Sequence, residues 1–194
     1  MISKRAVEPA WQALYDTAAS QEGLFTTRQA AAAGYSAPLL VHHQKAGRVA
    51  RVRRGIYRLT HFPPGEHEEL VAAWLWADAA GVFSHQTALS LHALSDVLPA
   101  QIHLTLPTNW QARRLRVPKG LSLHFADIPS RQRAWAGPVP VTAVLRTLMD
   151  CAEAGITPDL LRQAARQALS RGLVAKSELK NIGRTLKPYG GLGP

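Results

Sequence analysis

Apolar positions in the first sixty residues recur first at helical spacing and then at alternate positions. Trp11, Leu14, Tyr15 and Ala18 fall on one stripe, which predicts an amphipathic helix over Pro9 to Ala19. Gly23-Leu24-Phe25 reads as a short extended link. Thr26 and Gln29 fit a T-x-x-Q capping box that opens a second helix through Ala33. Gly34 stands where a helix-ending C′ residue belongs. Ser36 then caps a third helix, with Pro38 tolerated in its first turn and Gly47 ending it. Two helices joined by a short glycine-containing turn form a helix-turn-helix. Beyond Gly47 the period changes. "RVARVR" and "IYRL" flank Arg54-Gly55, a two-residue turn in which glycine can take positive φ. A hairpin placed directly after a helix-turn-helix is the wing of a winged helix.

The segment "THFPPGEHEE", Thr60 to Glu69, breaks this regularity with two prolines and a glycine. The expected organisation is therefore α+β. A winged helix-turn-helix over 1–62 is followed by a mixed α/β domain over 63–187, with few strands and several helices, and by a flexible tail over 188–194. Within the second region a largely buried helix is expected over Glu66 to Ala80, with Leu70, Val71, Trp74, Leu75 and Ala77 inside. A short helix follows at Gln86 to Leu94, then strands at Gln101 to Leu106 and Leu121 to Ala126, then helices at Pro158 to Ser170 and Ser177 to Leu186.

Charge sharpens this division. The 194 residues carry a formal charge of +10. Residues 1–61 hold nine basic and three acidic side chains, so most of the excess lies in less than a third of the chain. Such a protein attracts phosphate-rich polyanions or acidic surfaces. Arg48, Arg51, Arg53, Arg54 and Arg58 crowd the hairpin, whereas the third helix carries one formal charge, at Lys45. On that helix Leu39, Leu40, His43 and Ala46 form a packing side. Pro38, Val41, His42 and Lys45 form an outer side, small near its start, as a helix entering a major groove requires. The DNA-reading set is therefore Ser36, Ala37, Pro38, Val41, His42, Gln44 and Lys45. Arg28, Arg48, Arg51, Arg53, Arg54, Gly55 and Arg58 form the wing and its flanks, suited to phosphates or the minor groove.

"GLFTTRQAAAAGYSAPLLVHHQKAGRVARVRRGIYRL" resembles the N-terminal winged helix of the AbiEi-type antitoxins of bacterial type IV toxin–antitoxin systems. The matching pattern is G-x-F-T, Q-A, G-x-S, a helix-ending glycine and R-V-x-R-G-x-Y-R-L, with Arg53 and Gly55 just before Tyr57. Further along, "FSHQTALSLHALSDVLPAQIHLTLP" is similar to the family's S-H-x-x-A-L-x-L-H-x-L and P-x-x-I-H-L-T-x-P segments. "VPVTAVLRTLMDCAEAG" is similar to its V-T-x-x-x-R-T-L-x-D motif, through Thr142, Arg146, Thr147, Leu148 and Asp150. The resemblance covers most of residues 23–180. It implies a cytoplasmic DNA-binding antitoxin that represses its own operon and offsets a nucleotidyltransferase-like toxin. The expected partners are double-stranded operator DNA, the cognate toxin and further copies of the chain on repeated operator sites. Two other readings stay open: a winged-helix regulator with no toxin partner, and a basic module that binds RNA or protein.

An enzyme is not expected. Neither a G-x-x-x-x-G-K-[ST] phosphate loop nor a G-x-S-x-G elbow is present. Cys151, the single cysteine, has no activating base nearby in sequence, and no disulfide can form within one chain. Asp150 and Arg146 are spaced as an i, i+4 ion pair. His85, His92, His103 and His124 invite a metal reading. His85 and His92 lie two helical turns apart, but His103 and His124 fall in separate strands, and no C-x-x-C set accompanies them. No metal and no cofactor is therefore expected, and His85 is expected to hydrogen-bond near a helix start. The N-terminus shows no signal-like apolar run, and no stretch approaches the roughly 18 apolar residues of a membrane span.

Overall fold

The computed structural model describes residues 8–192. The chain divides into two compact units, with the boundary between Ala79 and Ala80.

In the first unit, α1 (Trp11–Ala19) is followed by β1 (Leu24–Thr26), α2 (Thr27–Ala32), α3 (Ala37–Lys45), β2 (Val49–Arg53), β3 (Ile56–Leu59) and α4 (Glu68–Trp76). The antiparallel sheet has the order β1-β3-β2. Both sides of the capping box form: Thr26 Oγ1 accepts from Gln29 N at 3.1 Å, and Gln29 Oε1 accepts from Thr26 N at 2.8 Å. Ser36 caps α3, its hydroxyl 3.4 Å from Leu39 N. The core gathers Leu14, Ala18, Phe25, Ala30, Tyr35, Leu40, Val49 and Leu59. From the predicted stripe of α1, Leu14 and Ala18 are buried. Trp11 and Tyr15 lie at its margin, Trp11 edge-on to Tyr35 and Tyr15 tilted against Phe62.

The proline-glycine segment does not separate the two units. Glu22 reaches across Gly65, where an added Cβ would lie 2.2 Å from its carboxylate, and accepts from His67 N at 2.9 Å. Val71, Ala72, Ala73 and Leu75 of α4 are buried, and α4 packs on β1 and β3. The compositional break thus marks a turn inside the first unit, and the boundary falls one helix later than 62/63. The helix is also shorter than the apolar run, because Asp78 and Ala79 take positive φ (51° and 59°) and end it.

The second unit holds a five-stranded mixed sheet, β6-β5-β4-β8-β7. Its strands are β4 (Val82–Phe83), β5 (Ile102–Leu106), β6 (Leu121–Phe125), β7 (Arg133–Ala136) and β8 (Val139–Thr142). Its helices are α5 (His85–Leu91), α6 (Val144–Glu153), α7 (Pro158–Ser170) and α8 (Lys180–Leu186). Leu89, Leu94, Leu148, Leu161, Ala165 and Ile182 centre a helical core. The hairpin β7–β8 is absent from the sequence-based expectation, because its alternation is masked by Pro138 and Pro140. Thr142 and Thr147 are both buried, and their hydroxyls lie 2.7 Å apart where β8 turns into α6.

The C-terminal segment departs from the expected flexible tail. Arg162 donates to the carbonyls of Tyr189 and, at 3.0 Å, Gly191; Arg166 donates to Leu192 at 2.7 Å. Gly193 and Pro194 lie outside the described residues.

Candidate nucleic-acid interface

Sequence periodicity puts the reading residues on the outer side of α3, and the fold leaves that side open. Ser36, Ala37, Pro38, Val41, His42, Gln44 and Lys45 are all exposed, Val41 at 48%. The opposite side is closed by Leu40 and His43, both buried, with Leu39 half-buried. Ala46, expected on the packing side, is exposed, because α3 ends at Lys45 and the chain turns away at Gly47 (φ +70°).

His43 is a wedge rather than a reader. Its ring stacks on Trp11 (centroids 6.1 Å apart, 23° between planes) and meets Tyr35 edge-on at 5.4 Å. Its Nδ1 is buried and finds no partner among the described residues. Burial holds this imidazole below its ordinary pKa, and the charges of Arg48 and His42 push the same way.

The hairpin is short and braced. Val49 pairs with Leu59 and Arg51 with Tyr57; a register shift at Val52 then brings Arg53 opposite Ile56 across the Arg54-Gly55 turn. Gly55 takes φ +78°, a left-handed conformation that a side chain disfavours. Arg48, Arg51 and Arg54 are exposed, as is Arg28 on α2, and Arg53 is half-buried. Arg51 Nε donates to the Arg53 carbonyl at 3.3 Å.

Arg58 departs from the expected wing set. It is half-buried, donates from Nη2 to the Phe62 carbonyl at 2.9 Å, and places Nε 3.6 Å from Glu68 Oε1. The physical reason is α4: by folding onto β3 it brings a carboxylate to this arginine, and no local sequence signal announces that docking. Arg58 therefore braces the unit from within. The surface cations of the wing and its flanks reduce to Arg28, Arg48, Arg51 and Arg54, with Arg53 partly covered.

Residues 12–60 match the family model described as transcriptional regulator, AbiEi antitoxin. The matched span runs from α1 to the end of β3, so the resemblance read from the hairpin and the helix-turn-helix is met by an independent comparison over that stretch. No curated protein matches the chain. Among solved structures, the RV2827C protein from Mycobacterium tuberculosis is similar at 14% identity and a TM-score of 0.44, over 99% of this chain and 82% of that one.

The remaining chemistry-bearing residues lie in the second unit. Cys151 is buried, and burial beside Asp150 pushes its thiol up to about 12, which leaves it unreactive. Arg146 Nε donates to Asp150 Oδ1 at 2.6 Å and its Nη1 to Gln132 at 3.0 Å, an ion pair within α6. His92 caps the C-terminal end of α5 and donates from Nε2 to the Thr142 carbonyl at 2.7 Å. His85 meets the Ser84 hydroxyl at 2.8 Å at the helix start, the role expected for it. His85 and His92 thus serve opposite ends of α5. His85, His103 and His124, assigned to no common site from the sequence, converge instead. Strand alternation sets the face of each strand histidine, but the pairing of β5 with β6 is a long-range choice. No helix among the described residues is long and apolar enough to cross a membrane.

Proposed function

We propose that this chain is a DNA-binding antitoxin and autorepressor of a bacterial type IV toxin–antitoxin operon. One observation carries the reading: an exposed, lightly charged helix face adjoins an arginine-bearing hairpin, within the stretch that matches the antitoxin regulator model. On this reading the outer side of α3 enters the major groove. Val41 offers methyls to thymine, and His42, Gln44 and Lys45 offer hydrogen bonds to base edges. Arg28, Arg48, Arg51 and Arg54 neutralise phosphates on either side and set the register. The protein acts by binding rather than catalysis. The second unit serves neutralisation of a nucleotidyltransferase-like toxin and self-association on repeated operator sites.

The deciding experiment is a footprint of the full-length protein on the DNA just upstream of its own gene. Protection of a discrete site, lost when random duplex replaces the operator, supports the reading. Equal or tighter binding to an RNA of the same length overturns it. Co-expression with the neighbouring downstream gene tests the antitoxin half separately: rescue of growth supports it, and toxicity that the protein leaves unaltered removes it while DNA binding stands.

A further inference from the structure

Three histidines separated by 18 and 21 residues in sequence meet on one face of the second unit's sheet. β5 and β6 pair in parallel, with His103 opposite Ser122 and Thr105 opposite His124. Alternate positions share a face, so His103 and His124 are diagonal neighbours on the same side. His103 Nδ1 lies 3.0 Å from His124 Nε2. The third ring arrives from the start of α5. Ser84 N donates to the His103 carbonyl at 3.1 Å, and the Thr105 hydroxyl donates to Ser84 Oγ at 2.7 Å, which fixes the strand end against β5. The next residue, His85, takes φ +52°, a region rarely occupied by a residue with a side chain. Its ring then lies over His124 with centroids 3.7 Å apart.

We propose that His85, His103 and His124 form a three-imidazole site for a divalent transition-metal cation of the zinc class. One ring nitrogen from each lies within 4.8 Å of the other two. A tetrahedral ion with metal–nitrogen distances of about 2.0–2.1 Å holds its ligand atoms about 3.3 Å apart. The His103–His124 pair, at 3.0 Å, is close to that spacing, and His85 must close by up to about 1.5 Å. The three ring planes lie within 24° of one another, so convergence of the lone pairs requires ring rotation about χ2, a broad and soft torsion. Imidazoles without thiolates or a carboxylate in the group favour zinc, cobalt, nickel or copper over magnesium or calcium.

The surroundings suit an ion with an open position. His85 and His124 line a cavity of about 420 Å³ together with Gln111, Arg146, Asp150 and Glu153. The Arg146 guanidinium on this cavity is paired with Asp150, and its positive charge still helps hold the His85 imidazole below its ordinary pKa. The second carboxylate oxygen of Asp150 is buried and has no partner among the described residues. Burial keeps all three imidazoles neutral near pH 7, so protons compete weakly for the nitrogens. The ion would tie α5 to β5 and β6.

The test uses the full-length, tag-free protein stripped with chelator and desalted. Titration with zinc(II) by calorimetry is expected to give one equivalent per chain at micromolar affinity or tighter. Cobalt(II) is expected to give visible ligand-field bands. At about 100 times the dissociation constant, zinc should raise the unfolding midpoint by several degrees. His103→Ala and His124→Ala should each weaken uptake about 100-fold or more, whereas His42→Ala and His61→Ala, both surface histidines, should leave it unchanged. Absence of one-equivalent uptake by the unmodified protein overturns the proposal, as does uptake that persists in either strand variant. Should those variants fail to fold, nitrogen-15 NMR of the histidine rings in the unmodified chain decides. Zinc-dependent shifts at the rings of His85, His103 and His124 support the site, and shifts confined to the other histidines overturn it.

Discussion

The carbonyl oxygen of Gly55 accepts from both the amide and the hydroxyl of Thr27, at 2.9 and 3.2 Å. The turn of the hairpin is thereby fastened to the start of α2. With Gly55 at φ +78°, the fastening also holds the one residue that lets the strand reverse in this register. The arginines at the tip sit on a braced support, and the support can be loosened without touching them.

Gly55→Ala tests this. The space beside Gly55 is open, the nearest atom to an added Cβ being Thr27 Oγ1 at 3.7 Å, so the cost is conformational rather than steric. Left-handed backbone costs a residue with a side chain about 1–2 kcal/mol. Urea unfolding should show a loss of that size, and DNA affinity should fall although every cation is retained.

Arg54 and Arg58 should separate binding from folding. Arg54 is exposed on the turn, so Arg54→Ala should lower the slope of log affinity against log salt by about one unit and leave the unfolding midpoint unchanged. Arg58 is held by Phe62 and Glu68, so Arg58→Ala should destabilise the fold by about 1 kcal/mol or more and change the salt slope less. Equal slope changes for the two would show that Arg58 swings out to the phosphates.

Operator preference should reside in His42, Gln44 and Lys45. All three are exposed on the open side of α3. Where the side chain meets a base edge, His42→Ala or Lys45→Ala should reduce discrimination between operator and random duplex by about 1–3 kcal/mol. Competition binding with both DNAs measures this directly. A double variant with unaltered discrimination would move the reading site elsewhere.

His43 predicts a pH dependence of stability. Its folded-state pKa lies below its unfolded value of about 6.5, so the unfolded chain takes up this proton first. The groups around the ring, Trp11, Tyr35, His42 and Arg48, supply no negative charge to reverse that. Stability from this residue is complete above about pH 6.5 and is lost as pH falls through 6.5 towards the folded value. His43→Phe keeps the aromatic contacts and removes the buried, unpaired Nδ1. Unfolding between pH 7.5 and 5 should show a shallower acid loss for the variant, and at pH 7.5 a stability equal to or about 1 kcal/mol above that of the unmodified protein.

The boundary after Ala79 distinguishes two fragments. Residues 1–79 should fold alone. Residues 1–62 lack α4 and so lose the burial of Val71 and Leu75, at about 1.5–3 kcal/mol for each side chain. Circular dichroism and urea titration of the two fragments should show a cooperative transition for the longer and a much weaker one for the shorter.

The local architecture of the winged unit is written in its residues. Capping residues, glycines and apolar spacing act within a few positions, so Thr26 with Gln29, Ser36, and Arg54 with Gly55 declare their elements directly. The open side of α3 is legible for the same reason, since helical period alone separates His42 from His43. Whatever depends on distant partners emerges only in the folded unit. By sequence Arg58 belongs with the surface arginines; in the fold Glu68, ten residues on and beyond a proline break, comes back to meet it. Each strand histidine has a face from alternation, but only the parallel pairing of β5 with β6 and the left-handed turn at His85 join the three rings. Local propensity is set by the chain within a turn or two; the choice of strand partner and of the helix that covers a sheet is set by which surfaces bury together, and that is a property of the whole unit.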